Sequence, residues 1–154
     1  MTRIRAYGLL LAFVLLIASS AGAEVNPEAA AQAPLKFYQA VNAKNYAAAW
    51  GLLTEASKSR LTILVAEDAK QTPAEIRNLF DSSDPRIQAG FWDSFRGSAK
   101  PELYVTFAYK YTGDKAGSHV IQASDPGSQN GKTLDLVVKD EGGYKFGLVE
   151  TYGI

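Results

Sequence analysis

The apolar residues of this 154-residue chain change their repeat once, at Lys100-Pro101, and that switch limits the fold more than any other feature. From Pro27 to about Gly97 they recur at helical spacing; from Leu103 onward they alternate. A helix presents one face at steps of three and four, a strand at steps of two, so helices come first and strands afterwards. A chain so ordered is α+β, with N-terminal helices packed on one face of a curved antiparallel sheet. The links between the later segments are too short for parallel crossovers, which makes the sheet a meander of hairpins.

Within the helical part, Leu35, Tyr38 and Val41 stand three apart and Phe37 lies four before Val41, predicting a helix that is firm from Pro34. Residues 24–33 read as a flexible approach, with Asn26-Pro27 as the alternative start. Asn42-Ala43-Lys44-Asn45 then interrupts the stripe with residues that favour helix ends. Asn45 is placed to cap a second helix carrying Tyr46, Trp50 and Leu53 on one side. Ser57 to Asp68 carries Leu61, Leu64 and Val65. Thr72-Pro73-Ala74-Glu75 has the form of a capping box with proline in the first turn, ahead of Ile76, Leu79 and Phe80. Asp84-Pro85 repeats the device before Ile87, Phe91 and Phe95, with Trp92 alongside.

After the switch, Leu103, Val105, Phe107, Tyr109 and Tyr111 alternate with Tyr104, Thr106, Ala108 and Lys110, predicting one long strand. His119 to Ser124 is a second strand, and Ser124 to Gly131 a loop. Leu134, Leu136 and Val138 mark a third, and a turn at Asp140 to Gly143 leads to a last strand with Tyr144, Phe146 and Leu148 on one side.

The first 23 residues have a different character. Arg3 and Arg5 precede the uncharged run Gly8 to Ala18, and small residues follow to Ala21-Gly22-Ala23, the layout of a secretory signal peptide cleaved after Ala23. The run is shorter than the roughly 20 residues of a membrane span, and an uncleaved anchor is the rival reading. The chain has no cysteine, which excludes both disulfide staples and a lipid on cysteine. The expected product is a soluble secreted or periplasmic protein of one domain, residues 34–154, with no stable membrane insertion. Loss of Arg3 and Arg5 leaves 14 basic against 16 acidic side chains. Such a surface does not favour nucleic acid.

Two segments carry a family resemblance. "FYQAVNAKNYAAAWGLLTEASK" resembles the opening helical hairpin of the NTF2-like (cystatin-like, α+β cone) superfamily, and "KTLDLVVKDEGGYKFGLVE" resembles its closing hairpin. The resemblance implies a conical sheet wrapped on a helix around an apolar pocket, but no single activity. For steroid-isomerase-like members it implies an oxyanion-donating tyrosine at the position that Phe37 occupies here. A phenyl ring cannot donate that hydrogen bond. Tyr38 lies about 100° around the helix, and the nearest acid, Glu55, falls on a solvated helix start. Pairing of open sheet faces into a homodimer is also implied, through Tyr104, Thr106, Ala108 and Val137.

The expected ligand-lining residues are Phe37, Val41, Trp50, Trp92, Phe95, Val105, Phe107, Tyr109, Leu136 and Phe146, although aromatic residues at helical spacing are core first. Two weak catalytic candidates stand apart. His119 is the only histidine and shares strand parity with Ile121 and Ala123. Glu150 has the parity of Tyr144, Phe146 and Leu148, so an apolar setting would raise its pKa toward the range of a general base. Phosphate-cradle, nucleophile-elbow and zinc spacings are lacking, and neither Glu67-Asp68, Asp140-Glu141 nor the 125–131 loop forms a ligand set, so neither cofactor nor metal is expected. The favoured function is non-enzymatic binding of a small apolar ligand or a protein partner. The alternatives are a small isomerase- or cyclase-like enzyme and a membrane-anchored assembly domain.

Overall fold

The computed structural model describes residues 24–154; the expected leader lies outside them. Eight helices run through the described part: α1 (Pro27–Asn42), α2 (Tyr46–Gly51), α3 (Glu55–Ala69), α4 (Pro73–Asp81), α5 (Pro85–Ile87), α6 (Asp93–Ala99), α7 (Pro101–Tyr104) and α8 (Leu148–Tyr152). A π-helical turn, Gln88–Trp92, joins α5 to α6. Strands β1 (Ala108–Lys115), β2 (Ser118–Ser124), β3 (Thr133–Asp140) and β4 (Tyr144–Gly147) form one open antiparallel sheet in the order β1-β2-β3-β4. The α+β class and the meander expected from the sequence are therefore present. Among the described residues no helix is long and apolar enough to cross a membrane.

The break in the first helical pair follows the side chains predicted for it. Lys44 takes a left-handed φ of 58°, the Asn45 amide donates back to the Ala40 carbonyl at 2.8 Å, and Asn45 Oδ1 accepts from Ala48 N. Thr72 and Glu75 close their capping box reciprocally at the start of α4. The start of α1 differs from expectation: it lies at Pro27, seven residues before Pro34. Asn26 Oδ1 accepts from Ala29 N at 3.0 Å, so the Asn26-Pro27 pair is a complete cap. Pro34 sits inside the helix, on its buried side between Ala30 and Phe37. An interior proline costs about 3 kcal/mol, and burial of Ala30, Ala31, Ala33 and Phe37 offsets it.

The long strand expected over Leu103 to Tyr111 is also corrected. Pro101 opens the short helix α7, Phe107 N donates to the Tyr104 carbonyl, and Thr106 Oγ1 donates to the Leu103 carbonyl at 2.7 Å. Only at Ala108 does pairing with Ser124 begin. Tyr104 stacks on Tyr38 with ring centroids 4.3 Å apart, a contact that alternation alone does not reveal. Tyr104 and Thr106 thus lie off the sheet, and the four residues expected to share an open dimer face do not share one. The closing segment is corrected in the same way: β4 ends at Gly147, and Leu148, Val149 and Glu150 belong to α8.

The core lies between α1 and the sheet and continues into the helices. α1 crosses all four strands. Phe37 packs against Trp92 and Phe146, Trp92 stacks on Tyr46, and Trp50 stacks on Phe80 with centroids 4.2 Å apart. One aromatic chain therefore ties α1, α2, α4 and the π turn together. Because α2 enters this chain through Tyr46 and Trp50, its cap has a measurable role. Asn45→Ala is expected to lower stability by about 1 kcal/mol, read as a drop in thermal midpoint without loss of helical circular dichroism.

Candidate functional site

A cleft of about 400 Å³ opens between the second half of α3, α4 and the π turn. Leu64 and Val65 of α3, Ile76 and Leu79 of α4, and Ile87 and Phe91 form its apolar walls. The walls meet there for local reasons. α3 stops at Lys70, whose left-handed φ of 53° turns the chain, and the Thr72 cap starts α4 back along it. The Asp84 side chain then accepts from Arg86 N and begins the third wall.

The π turn shapes that wall. Asp93 N donates to the carbonyl of Gln88, five residues back, so one extra residue is accommodated in the turn. Trp92 is thereby buried while its neighbour Phe91 stays half-buried at the cleft. Gly90 also lines the cleft, and a Cβ placed on it would meet nothing within 4 Å. The space beside it is open.

Polar groups stand at the edge of this apolar floor: Asp68, Gln71 and Arg86. Arg86 is engaged by Asp84, Nε to Oδ1 at 2.9 Å and Nη2 to Oδ2 at 3.0 Å. That pairing holds the Asp84 carboxyl at about 2, below its usual range, chiefly through the guanidinium hydrogen bonds.

The residues proposed from sequence as a ligand lining lie elsewhere. Phe37, Val41, Trp50, Trp92, Leu136 and Phe146 are buried in the packed core. Trp50 additionally donates from Nε1 to Asp81 Oδ1 at 2.7 Å. Phe95, Val105, Phe107 and Tyr109 are half-buried against that core. Phe95 reaches a second hollow of about 300 Å³ with Tyr38, Tyr104 and Tyr152, and Phe107 a third beside Lys132 and Leu134. None of the ten lines the α3–α4 cleft. The signal for the cleft was legible in Leu64, Val65, Leu79 and Phe91, which stood on predicted stripes yet exceeded what one helical contact could bury.

His119 and Glu150 are far from convergence on one pocket. His119 is the cross-strand neighbour of Asp114, its Nδ1 2.6 Å from Asp114 Oδ1, and Tyr111 OH donates to the same oxygen at 3.0 Å. The ring of Tyr144 meets it edge-on, and Tyr144 OH in turn accepts from Asn26 N. These bonds fasten the entry of α1 to the end of the sheet.

Glu150 belongs to a different knot. Ser57 Oγ donates to its Oε2 at 2.7 Å, Thr54 Oγ1 lies 3.1 Å from Oε1, and Lys139 Nζ is 3.3 Å from Oε1. Val149 N donates to Ser57 Oγ. Burial pushes the Glu150 carboxyl up, but the hydrogen bonds from Ser57, from its own backbone N–H, from Thr54 and from Lys139 outweigh it and hold the carboxyl below the ordinary glutamate range. The raised pKa expected of a general base is therefore overturned: the acid is spent on holding α8 to α3.

Fold and cleft define a small α+β domain with an open four-stranded sheet and an apolar recess among its helices. No family model, curated protein or solved structure matches the chain.

A carboxylate with a depressed folded-state pKa adds stability that is full above its unfolded value and disappears as pH falls through the folded one. Wild type should therefore lose stability below about pH 4.5, whereas Glu150→Gln should show a flatter acid limb. At pH 7 the variant should be less stable by about 1.5 kcal/mol, the scale of hydrogen bonds to a charged group. Urea titrations across this pH range provide the check.

Proposed function

We propose that this domain is an exported, non-enzymatic binding module of NTF2-like form that takes a small apolar ligand into the cleft between α3, α4 and the π turn. The observation that carries the reading is the cleft itself: about 400 Å³ bounded by Leu64, Val65, Ile76, Leu79, Ile87 and Phe91. Binding sites for small molecules are recesses of about 300–1,000 Å³ with mostly apolar walls and a few polar groups at fixed places. Here Asp68, Gln71 and Arg86 supply the polar groups. The NTF2-like part of the reading draws on two features, a closing antiparallel meander and a first helix crossing all four strands. The exported part draws on the leader layout of residues 1–23.

The size suits a short aliphatic chain. Each buried methylene contributes about 0.8 kcal/mol, so eight carbons give roughly 6 kcal/mol before ordering costs. That gross figure corresponds to a dissociation constant of about 0.04 mM, and ordering costs weaken binding into the millimolar range. Octan-1-ol, titrated while nuclear magnetic resonance follows the Leu79 methyls and the Phe91 ring, is expected to give saturable shifts at those groups and none at Phe146. Gly90→Leu enters the cleft from a position where the first added carbon meets nothing within 4 Å, and should weaken binding at least tenfold without lowering the thermal midpoint. Non-saturable shifts, or shifts centred on the core, would overturn the reading.

A further inference from the structure

The charges around the cleft are not balanced, and the imbalance identifies what kind of end group its ligand carries. Arg86, the cation in the lining, is held by both oxygens of Asp84. Asp68, the carboxylate in the lining, has no ion-pair partner among the described residues. It also stands in the last turn of the 15-residue helix α3, and that turn carries no basic residue. A helix C-terminus bears about half a negative charge from its unsatisfied carbonyls, so it stabilises cations and disfavours carboxylates. Lys70, the residue that ends the helix, forms no ion pair with Asp68. Two independent sources of negative potential, a free carboxylate and a helix C-terminus, thus meet at the mouth of an apolar recess.

Resting on the assignment of this cleft as the binding site, we propose that its ligand is a primary aliphatic ammonium, with the alkyl chain against Leu64, Leu79 and Phe91 and the charged head at Asp68. An anionic head is disfavoured on the same grounds. Arg86 is already paired with Asp84, so a carboxylate head would meet Asp68 and the end of α3 with no unpaired cation in the lining to receive it. A neutral alcohol would gain the apolar contacts only. The Coulomb term is moderate at an exposed site, since two unit charges 4 Å apart are worth between about 1 kcal/mol in water and about 4 kcal/mol near a protein surface.

The test compares three probes of equal chain length, octylammonium, octan-1-ol and octanoate, titrated at pH 7 and low salt into wild type, Asp68→Asn and Asp68→Glu. In wild type octylammonium should bind fivefold to tenfold tighter than octanol, and octanoate weaker than octanol. Asp68→Asn should remove most of the advantage of octylammonium over octanol, while Asp68→Glu should retain it. If octanol binds in the cleft but octylammonium binds no tighter, or if the preference survives Asp68→Asn, the head-group assignment falls and the cleft remains. If none of the three binds saturably at Leu79 and Phe91, the cleft assignment falls and this inference falls with it.

Discussion

Two hydrogen bonds at Phe146 hold the helical half of the chain to the sheet. Phe146 N donates to the Leu52 carbonyl at 2.7 Å, and Thr54 N donates to the Phe146 carbonyl at 3.0 Å. Leu53 thus lies beside β4 as a parallel bridge on the edge opposite β3. An uncovered edge is a template for unwanted pairing, and this link occupies it. The same residues extend the join in both directions. The Phe146 ring packs on Phe37 and Tyr38. Thr54 caps α3 and takes part in the knot around Glu150. In a chain without cysteine, backbone pairing, a helix cap and a paired carboxylate together fix where α3 begins relative to the sheet.

Fixing one end of α3 leaves its other end to be shaped by its neighbours in sequence. Its first turn meets α8 through Ser57 and Glu150, and its far half lies along α4. Leu64 and Val65 are therefore covered on one side only, and the chain after Asp84 comes back to form the remaining wall. An unbroken α-helix from Pro85 to Ala99 would present Ile87, Phe91 and Phe95 as one row with Trp92 displaced from it. The π turn inserts one residue into that row. Trp92 joins the aromatic chain, and Phe91 is left at the recess.

Much of this was legible in the sequence, because the deciding interactions are local. Asn45, Thr72 with Glu75, and Asp84 with Pro85 each cap a helix within three residues of themselves. The meander was legible because the turn residues between Thr112 and Ser118 and at Asp140 to Gly143 leave links too short for parallel crossovers; the structure narrows the first to Ala116-Gly117. The expectations that failed depended on distant contacts. Leu103 to Phe107 alternates as a strand does, yet stacking of Tyr104 on Tyr38, 66 positions earlier in the chain, wins over that pattern. Glu150 kept strand parity in the sequence, but Ser57 and Thr54, more than 90 positions away, bind its carboxylate on a short helix. The residues named as a ligand lining pack in or against the core for a related reason. Aromatic spacing marks residues that will be buried, and it does not distinguish a filled interior from a lined one.

That distinction decides where space is left in the domain. Between α1 and the open sheet, Phe37, Tyr38, Val41, Leu136 and Phe146 fill the interior. Interiors are packed like molecular crystals, so a volume already holding these rings has no room to share. The recess lies instead where α3 and α4 meet the π turn. Separation of the two sites has an energetic consequence. The Phe146–Thr54–Glu150 join fixes the start of α3 against the sheet, and none of its three residues lines the cleft. Ile76 and Ile87 belong to the core as well as to the recess, so additivity leaves the exposed polar members of the lining, Asp68, Gln71 and Arg86, to vary without disturbing the frame.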